Sequence, residues 1–211
     1  MTEVTRVHLL RHGEVFNPLR VLYGRLPGFG LSETGERMAE MAAKALAGRD
    51  VVELRSSPLE RAVQTAQPLI ETFGAPFITD DRLIESENYF EGRSVADGWR
   101  SFTDREALRY LRNPFEPSWG EPYAHTAARM LDAVTDVRDA VRGHEAVLVS
   151  HQLPIYVLRR FVEGRHLWHR PDRRQCGLAS LTSLTWEDGR LVAVTYSEPA
   201  GEASRRPGHG A

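Results

Sequence analysis

Residues 4–14 read Val4-Thr5-Arg6-Val7-His8-Leu9-Leu10-Arg11-His12-Gly13-Glu14. Val4 to Leu10 has the apolar run of a short buried strand, and the chain turns abruptly at Arg11-His12-Gly13. Working outward, residues 17–30 hold Pro18, Gly24, Pro27, Gly28 and Gly30 and read as a loop. Ser32 has the chemistry of a helix N-cap. Apolar and alanine-rich positions then recur at helical spacing to about Ala47. Val51 to Ser56 reads as a second strand. Pro58 suits the first turn of a helix that runs to about Phe73, and Pro68 inside it predicts a kink or an early break. Phe77 to Thr79 reads as a short strand.

The segment from Arg82 to Glu121 contains Gly92, Gly98, Pro114, Pro117 and Gly120, with a run of aromatics between Tyr89 and Tyr110. It predicts an irregular insertion with one or two short helices, of the kind that forms a substrate rim on a fixed scaffold. A long helix from about His125 to Arg142 follows, then a buried strand over Ala146–Ser150. Pro154 opens a further helix that ends near Gly164. Strands over Leu178–Trp186 and Leu191–Ser197 are joined at Asp188-Gly189, a hairpin signal. The last residues, 199–211, are rich in Gly, Pro, Ser and Arg and are expected to be disordered.

Strands alternate with helices over most of the chain. The expected fold is therefore α/β, a three-layer α/β/α sandwich with a mostly parallel central sheet, in one domain over residues 1–198. The size fits a single α/β domain: the sequence has 211 residues. Lysine and arginine number 27 against 29 acidic residues, a formal net charge of −2. That balance argues against a general nucleic-acid or membrane-surface binder while leaving room for a local basic pocket. Cys176 is the only cysteine, so no intrachain disulfide can form. No stretch approaches the ~20 apolar residues of a membrane span. A cytoplasmic protein, monomer or homodimer, is the expectation.

In such folds ligands bind beyond the carboxyl ends of the strands. Arg11-His12-Gly13 follows the first strand, Ser57-Pro58-Leu59-Glu60-Arg61 the second, and His151-Gln152 the strand that ends at Ser150. Two arginines and two histidines meeting at one sheet edge would make a dianion site. Guanidinium donors match phosphate oxygens, and a neutral imidazole can attack phosphorus. Helix N-termini after residues 57 and 151 would add backbone N–H donors. Transfer to histidine also needs an acid for the leaving alkoxide, and Glu85, Glu87 and Glu91 are all candidates by position. Taken singly, each residue has a plainer reading. His12 could be a loop histidine satisfied by a carbonyl, Arg61 a solvated helix residue, and His151 a buried strand end. His125, His144 and His209 read as surface or tail positions. His166 and His169 lie in a basic stretch over Arg165–Arg174 that reads as a solvated rim, the spacing being loose for a metal site. Cys176 reads as structural, and Trp99, Phe102, Tyr110, Phe115 and Trp119 as packing residues.

Four segments together carry a resemblance. Leu10-Arg11-His12-Gly13-Glu14, then Ser56-Ser57-Pro58-Leu59-Glu60-Arg61-Ala62-Val63-Gln64-Thr65-Ala66, then Leu83-Ile84-Glu85, and Val149-Ser150-His151 are similar, in this order, to the motifs of the histidine phosphatase superfamily, the phosphoglycerate mutase-like family. The resemblance spans about residues 4–197. It implies that His12 is the nucleophile that becomes a phosphohistidine. Arg11, Arg61 and His151 would clamp the transferring group, and Glu85 would be the proton donor. Asn17, Gly24 and Gln152 would join Arg11, Arg61 and His151 in holding the substrate. No metal and no cofactor is implied, and the partner is a small phosphorylated substrate.

The chain also departs from the family pattern. Asn17 lies one residue closer to His12 than is commonest, and the loop over Tyr23–Gly30 lacks the usual aspartate. Gln152-Leu153-Pro154 replaces small residues after His151. These differences imply a differently shaped pocket. The expected activity is a phosphomonoester phosphatase, because the chain looks trimmed in the middle and tail beside glycolytic mutases. A phosphoglycerate mutase-type isomerase shares the same histidine chemistry. A non-catalytic phosphate-ligand binding module would have lost a histidine or arginine from the set, and none is missing.

Overall fold

The computed structural model describes residues 2–94 and 119–201. Strand β1 (Val4–Arg11) leads through a loop to helix α1 (Glu33–Leu46), β2 (Val51–Ser56), α2 (Glu60–Phe73) and β3 (Phe77–Thr79). A 3-10 turn over Asp81–Leu83 follows. Further on come α3 (Tyr123–Ala140), β4 (Glu145–Ser150), α4 (Gln152–Val162), a second 3-10 turn over Pro171–Arg173, and the hairpin β5 (Leu181–Glu187) and β6 (Arg190–Ser197). The expected features at Gly98, Trp99, Phe102, Tyr110, Pro114, Phe115 and Pro117 lie outside the described residues, as do residues 202–211 with His209.

The six strands form one sheet in the order β3-β2-β4-β1-β5-β6. The pairs β3–β2, β2–β4 and β4–β1 are parallel, and β1–β5 and β5–β6 are antiparallel. Side chains alternate across the sheet as a strand requires. Val7 and Leu9 of β1, with Ala146 and Leu148 of β4, pack against Met130, Val134 and Val137 of α3 and Ile155 and Leu158 of α4. Leu10, Val147 and Val149 pack on the opposite face against Met38, Ala42 and Leu46 of α1 and Ala62, Ala66 and Leu69 of α2. Two helical layers thus enclose the sheet, and each fully buried Leu, Val or Met contributes about 1.5–3 kcal/mol.

Neighbouring strands β1 and β4 are therefore followed by helices on opposite faces, α1 on one and α4 on the other. The crevice between their carboxyl ends is the topological switch point at which open α/β sheets bind ligands. Register brings the ends level: Arg11 pairs with Ser150, and Val149 pairs with Ser56.

Helix α1 starts as its sequence dictates. The Ser32 hydroxyl accepts from the Gly35 N–H at 3.0 Å, and Glu33 and Glu36 sit in the first turn. Gly35 is required by close approach, since a Cβ there would overlap the Glu14 carbonyl, and one at Gly13 would overlap the Gly35 carbonyl. The turn after β1 is thereby pressed onto the start of α1.

Several local expectations are corrected. Helix α2 does not break at Pro68 but continues to Phe73. Burial of Thr65, Ala66 and Leu69 around the proline outweighs the single lost backbone bond, and Pro68 itself sits on a partly exposed face. Helix α4 begins at Gln152, with Pro154 inside its first turn, where its missing N–H costs nothing. Helix α3 begins at Tyr123. Strand β5 begins at Leu181 because residues 177–180 form a turn, with Ala179 at φ 50°. At the other end of the chain, Ala200 is buried in the core beside α1 and α2.

Candidate active site

The switch point gathers Arg11, His12, Arg61 and His151, which are at most 3% exposed. The two imidazole rings lie 5.1 Å apart, centroid to centroid. Their tautomers follow from their partners. His12 Nδ1 lies 2.8 Å from the Gly13 carbonyl, an acceptor only, so Nδ1 holds the proton and Nε2 presents a lone pair. Nε2 is buried and has no hydrogen-bond partner in the protein. His151 Nδ1 accepts from Arg61 Nη2 at 3.2 Å, so its Nε2–H donates to the Ser57 hydroxyl at 2.7 Å.

Both histidines are held neutral. Burial pushes the His12 pKa well below 6.5, and the charges of Arg61 and Arg11 push the same way, against the Gly13 carbonyl. His151 is also pushed well down, by burial and then by Arg61, His12 and Arg11.

The arginines are aimed by backbone carbonyls rather than by carboxylates. Arg11 Nη1 donates to the Cys176 carbonyl at 2.7 Å, and Arg61 Nη2 donates to the Gly24 carbonyl at 2.7 Å. The Nε atoms of both are buried without a partner in the protein. The Tyr23 ring lies under the Arg61 guanidinium, 4.8 Å from ring centroid to Cζ. Burial lowers the Arg61 pKa, the mark of a cation that is desolvated without being neutralised. Two helix N-termini converge on the same crevice. Neither Leu59 before α2 nor His151 before α4 caps its helix with a side-chain bond, so first-turn N–H groups remain for an anion.

Of the three candidate acids, Glu85 is 8% exposed, whereas the Glu87 side chain is 70% exposed and paired with Arg25 at 2.9 Å. Burial raises the Glu85 pKa from 4.5, against the Ser86 N–H and the charges of Arg61, Arg174 and Arg11. Glu91 stays near the site, with Oε1 buried and unpartnered where a Cβ on Gly24 would otherwise lie.

Asn17 closes a turn: its amide oxygen accepts from Val21 N–H at 3.1 Å, and its nitrogen donates to the Val21 carbonyl at 2.8 Å. That turn leads into Tyr23 and Gly24. Gln152 lines a cavity of about 80 Å³ that also meets Tyr23, Glu85, Tyr123, Trp119 and Arg174. Among the described residues, no group of three or more His, Cys, Asp or Glu could hold a metal ion, and no helix is long and apolar enough to cross a membrane.

Sequence reasoning missed several parts. Ser57 fixes His151, and the Thr65 hydroxyl accepts from Gly13 N–H at 3.1 Å and braces the turn. Both fall inside the motifs, but spacing alone gave them no role. The Arg11 brace, Cys176, is 165 residues away in sequence and gave no signal at all. His169 is no part of a solvated rim. It is 7% exposed, its ring packing 5.2 Å from that of Tyr123 and 4.8 Å from that of Tyr156.

An α/β sheet whose switch point holds two neutral imidazoles, two carbonyl-anchored guanidiniums and a buried carboxyl group has the chemistry to receive a phosphoryl dianion. Comparisons place it more narrowly. The model of the histidine phosphatase superfamily (branch 1) matches residues 7–199. The uncharacterized protein Rv0525 of Mycobacterium tuberculosis is 54% identical over 200 residues, covering 95% of this chain and 99% of its own. A 2,3-bisphosphoglycerate-dependent phosphoglycerate mutase of Thermoplasma acidophilum is 42% identical over 193 residues, covering 88% and 90%. The structure of mycobacterial glucosyl-3-phosphoglycerate phosphatase Rv2419c superposes with a TM-score of 0.71 at 27% identity, covering 86% of this chain and 90% of that one. The chain belongs to the histidine phosphatase superfamily, whose members are phosphatases or mutases.

Proposed function

We propose that this protein is a phosphatase of small phosphomonoesters that works through a phosphohistidine at His12. The observation that carries the reading is the buried, unpartnered lone pair of His12 Nε2 beside the unpartnered Nε–H groups of Arg11 and Arg61. The substrate phosphoryl group would lie between these guanidiniums and the two helix N-termini. His12 Nε2 attacks phosphorus, the P–O ester bond breaks, and the Glu85 proton goes to the leaving oxygen. Water then attacks the phosphohistidine as the Glu85 carboxylate takes its proton. The P–N bond breaks, and inorganic phosphate leaves with His12 again neutral. The guanidiniums stabilise the charge on the equatorial oxygens in both steps. His151, oriented by Ser57 and Arg61, flanks the phosphoryl group. This sequence uses no metal and no cofactor.

A mutase would use the same histidine and return the phosphoryl group to bound product instead of to water. The glucosyl-3-phosphoglycerate phosphatase among its structural neighbours supports hydrolysis. The full set of histidines and arginines counts against a mere binding module. A panel of phosphomonoesters assayed for phosphate release is the test. Release much slower than bisphosphoglycerate-dependent isomerisation overturns the hydrolytic reading.

Glu85→Gln tests the proton donor. It should lower kcat/KM about 10²–10³-fold for alkyl phosphates, whose leaving group needs the proton, and less than about 10-fold for nitrophenyl phosphate. The pH profile carries the same assignment. His12 is pushed down, so loss of its lone pair lies below 6.5; Glu85 is pushed up, so loss of its proton lies above 4.5. The alkaline limb of kcat/KM for an alkyl phosphate should therefore vanish in Glu85→Gln while the acid limb persists. Equal losses on both ester classes, with both limbs kept, would place the acid elsewhere.

A further inference from the structure

The mechanism needs Arg11 and Arg61 held still, yet among the described residues neither has a carboxylate partner. The side chain that reaches both is Tyr23, which is 2% exposed. Its ring lies 4.8 Å from Arg61 Cζ, centroid to carbon, with the guanidinium over the face. The Tyr23 and His12 rings meet edge to face, 6.4 Å apart and at 67°. Phe29 stacks on Tyr23, with 5.3 Å between centroids and 28° between planes. Burial raises the Tyr23 pKa above 10, against the charges of Arg11 and Arg61 and a hydrogen bond from the Arg11 side chain. The phenol is therefore neutral over the range in which His12 keeps its lone pair and Glu85 its proton.

The backbone places this ring independently of the arginines. Leu22 N–H donates to the Arg93 carbonyl and Gly92 N–H to the Leu22 carbonyl, both at 2.8 Å, and Leu26 N–H donates to the Tyr23 carbonyl at 2.7 Å. Gly24 follows at φ 39°, where a Cβ would overlap the Glu91 side chain. Residue 23 thus offers a ring, and residue 24 a carbonyl, to the same guanidinium. The carbonyl and His151 Nδ1 hold Arg61 by its Nη2 donors, and the ring holds it by its face. A carboxylate in place of the ring would grip as firmly, but it would occupy N–H donors and cancel the charge that a phosphoryl group requires. An aromatic face attracts a cation through its quadrupole, takes up no donor and adds no net charge. Arg61 Nε stays unpartnered within the protein.

We infer that Tyr23 is a positioning residue for phosphoryl transfer, its ring face holding the Arg61 guanidinium with Nε–H presented beside His12 and its hydroxyl steadying Arg11. Tyr23 acts through the two arginines, so the electron density of its ring, and not its bulk alone, sets the rate. The inference rests on the reading of this crevice as a phosphoryl site.

Three replacements separate shape from electronics. Tyr23→Phe removes the hydroxyl and keeps the aromatic face. Pentafluorophenylalanine in place of Tyr23 keeps the ring shape and reverses its quadrupole. Tyr23→Met removes the ring. Kinetics on nitrophenyl phosphate and ethyl phosphate are expressed per folded molecule, with the folded fraction taken from chemical denaturation. In Tyr23→Phe, kcat/KM should fall by about 10-fold or less, the scale of one hydrogen bond. The fluorinated ring should lower it further, on the order of 10–30-fold, the scale of a desolvated cation–π contact, and Tyr23→Met should lower it at least as far. The loss should be equal on both esters, because the arginines serve the phosphoryl group whichever oxygen leaves. In an Arg61→Met background the step from phenylalanine to the fluorinated ring should shrink to less than about 2-fold, since the effect travels through Arg61. A fluorinated ring as active as Tyr23→Phe, or a fluorination effect undiminished in Arg61→Met, overturns the role. Calorimetric affinity for inorganic phosphate probes the same arginines without turnover and should fall in the same order. Phosphate affinity that follows this order in a protein that hydrolyses neither ester sinks the phosphatase reading alone. Hydrolysis and phosphate affinity both indifferent to fluorination sink the positioning role alone.

Discussion

Replacing His12 with alanine is expected to abolish turnover of every phosphomonoester, by about 10⁴-fold or more in kcat, while leaving a folded protein. The size of the loss follows from the role. No other described residue presents an unpartnered imidazole nitrogen to the crevice, because His151 commits Nδ1 to Arg61 and Nε2 to Ser57. Loss of a nucleophile that acts in concert with its surroundings removes nearly the whole rate advantage. The fold should tolerate the change. His12 makes one side-chain bond, to the Gly13 carbonyl, and β1 is anchored independently through its ladders with β4 and β5. A stability loss below about 2 kcal/mol is expected from chemical denaturation. Residual turnover within about 10-fold of wild type would remove His12 from the mechanism.

Arg61→Met should separate activity from stability just as sharply. Arg61 is fully buried, and among the described residues it has no carboxylate partner. Its guanidinium is therefore a desolvated charge that the free protein tolerates at a cost, and methionine of similar length removes that cost. Against this stands the loss of two hydrogen bonds, to the Gly24 carbonyl and to His151 Nδ1. The two effects oppose each other, so stability should change by less than about 2 kcal/mol. Activity has no such compensation. Removing a fixed donor from a developing phosphoryl charge costs on the order of 10³-fold in kcat/KM, and the freed His151 ring adds to the loss. A variant that unfolds at room temperature while keeping wild-type kcat/KM per folded molecule would show Arg61 to be structural only.

Much of this architecture was legible because burial leaves a plain mark on strands. The apolar runs over 4–10, 51–56 and 146–150 emerge as β1, β2 and β4, and the residues that follow each of them meet at one edge of the sheet. What escaped depends on contacts between segments remote in sequence. Pro68 looked like a break because helix propensity is local, whereas α2 is held by its packing on α1 and the sheet. Leu178 and Ala179 looked like strand because they are apolar and buried, yet they belong to the turn that follows the carbonyl anchoring Arg11. The stretch over Arg165–Arg174 is largely exposed, as a solvated rim should be, but His169 within it is buried. Only the meeting of α3 and α4 around His169 turns Arg174 toward the cavity. Among the candidate acids, sequence placed Glu85 and Glu87 two residues apart and could not show that one is enclosed and the other faces solvent.

The central claim is covalent transfer to His12, and the most direct measurement is mass spectrometry of protein rapidly quenched at neutral or alkaline pH during turnover of nitrophenyl phosphate, followed by site mapping. The account predicts one phosphoryl group per active site on the His12 imidazole, absent in His12→Ala and discharged by water as inorganic phosphate appears. Turnover at full rate with no phosphorylated His12, or with the label on His151 instead, would contradict it.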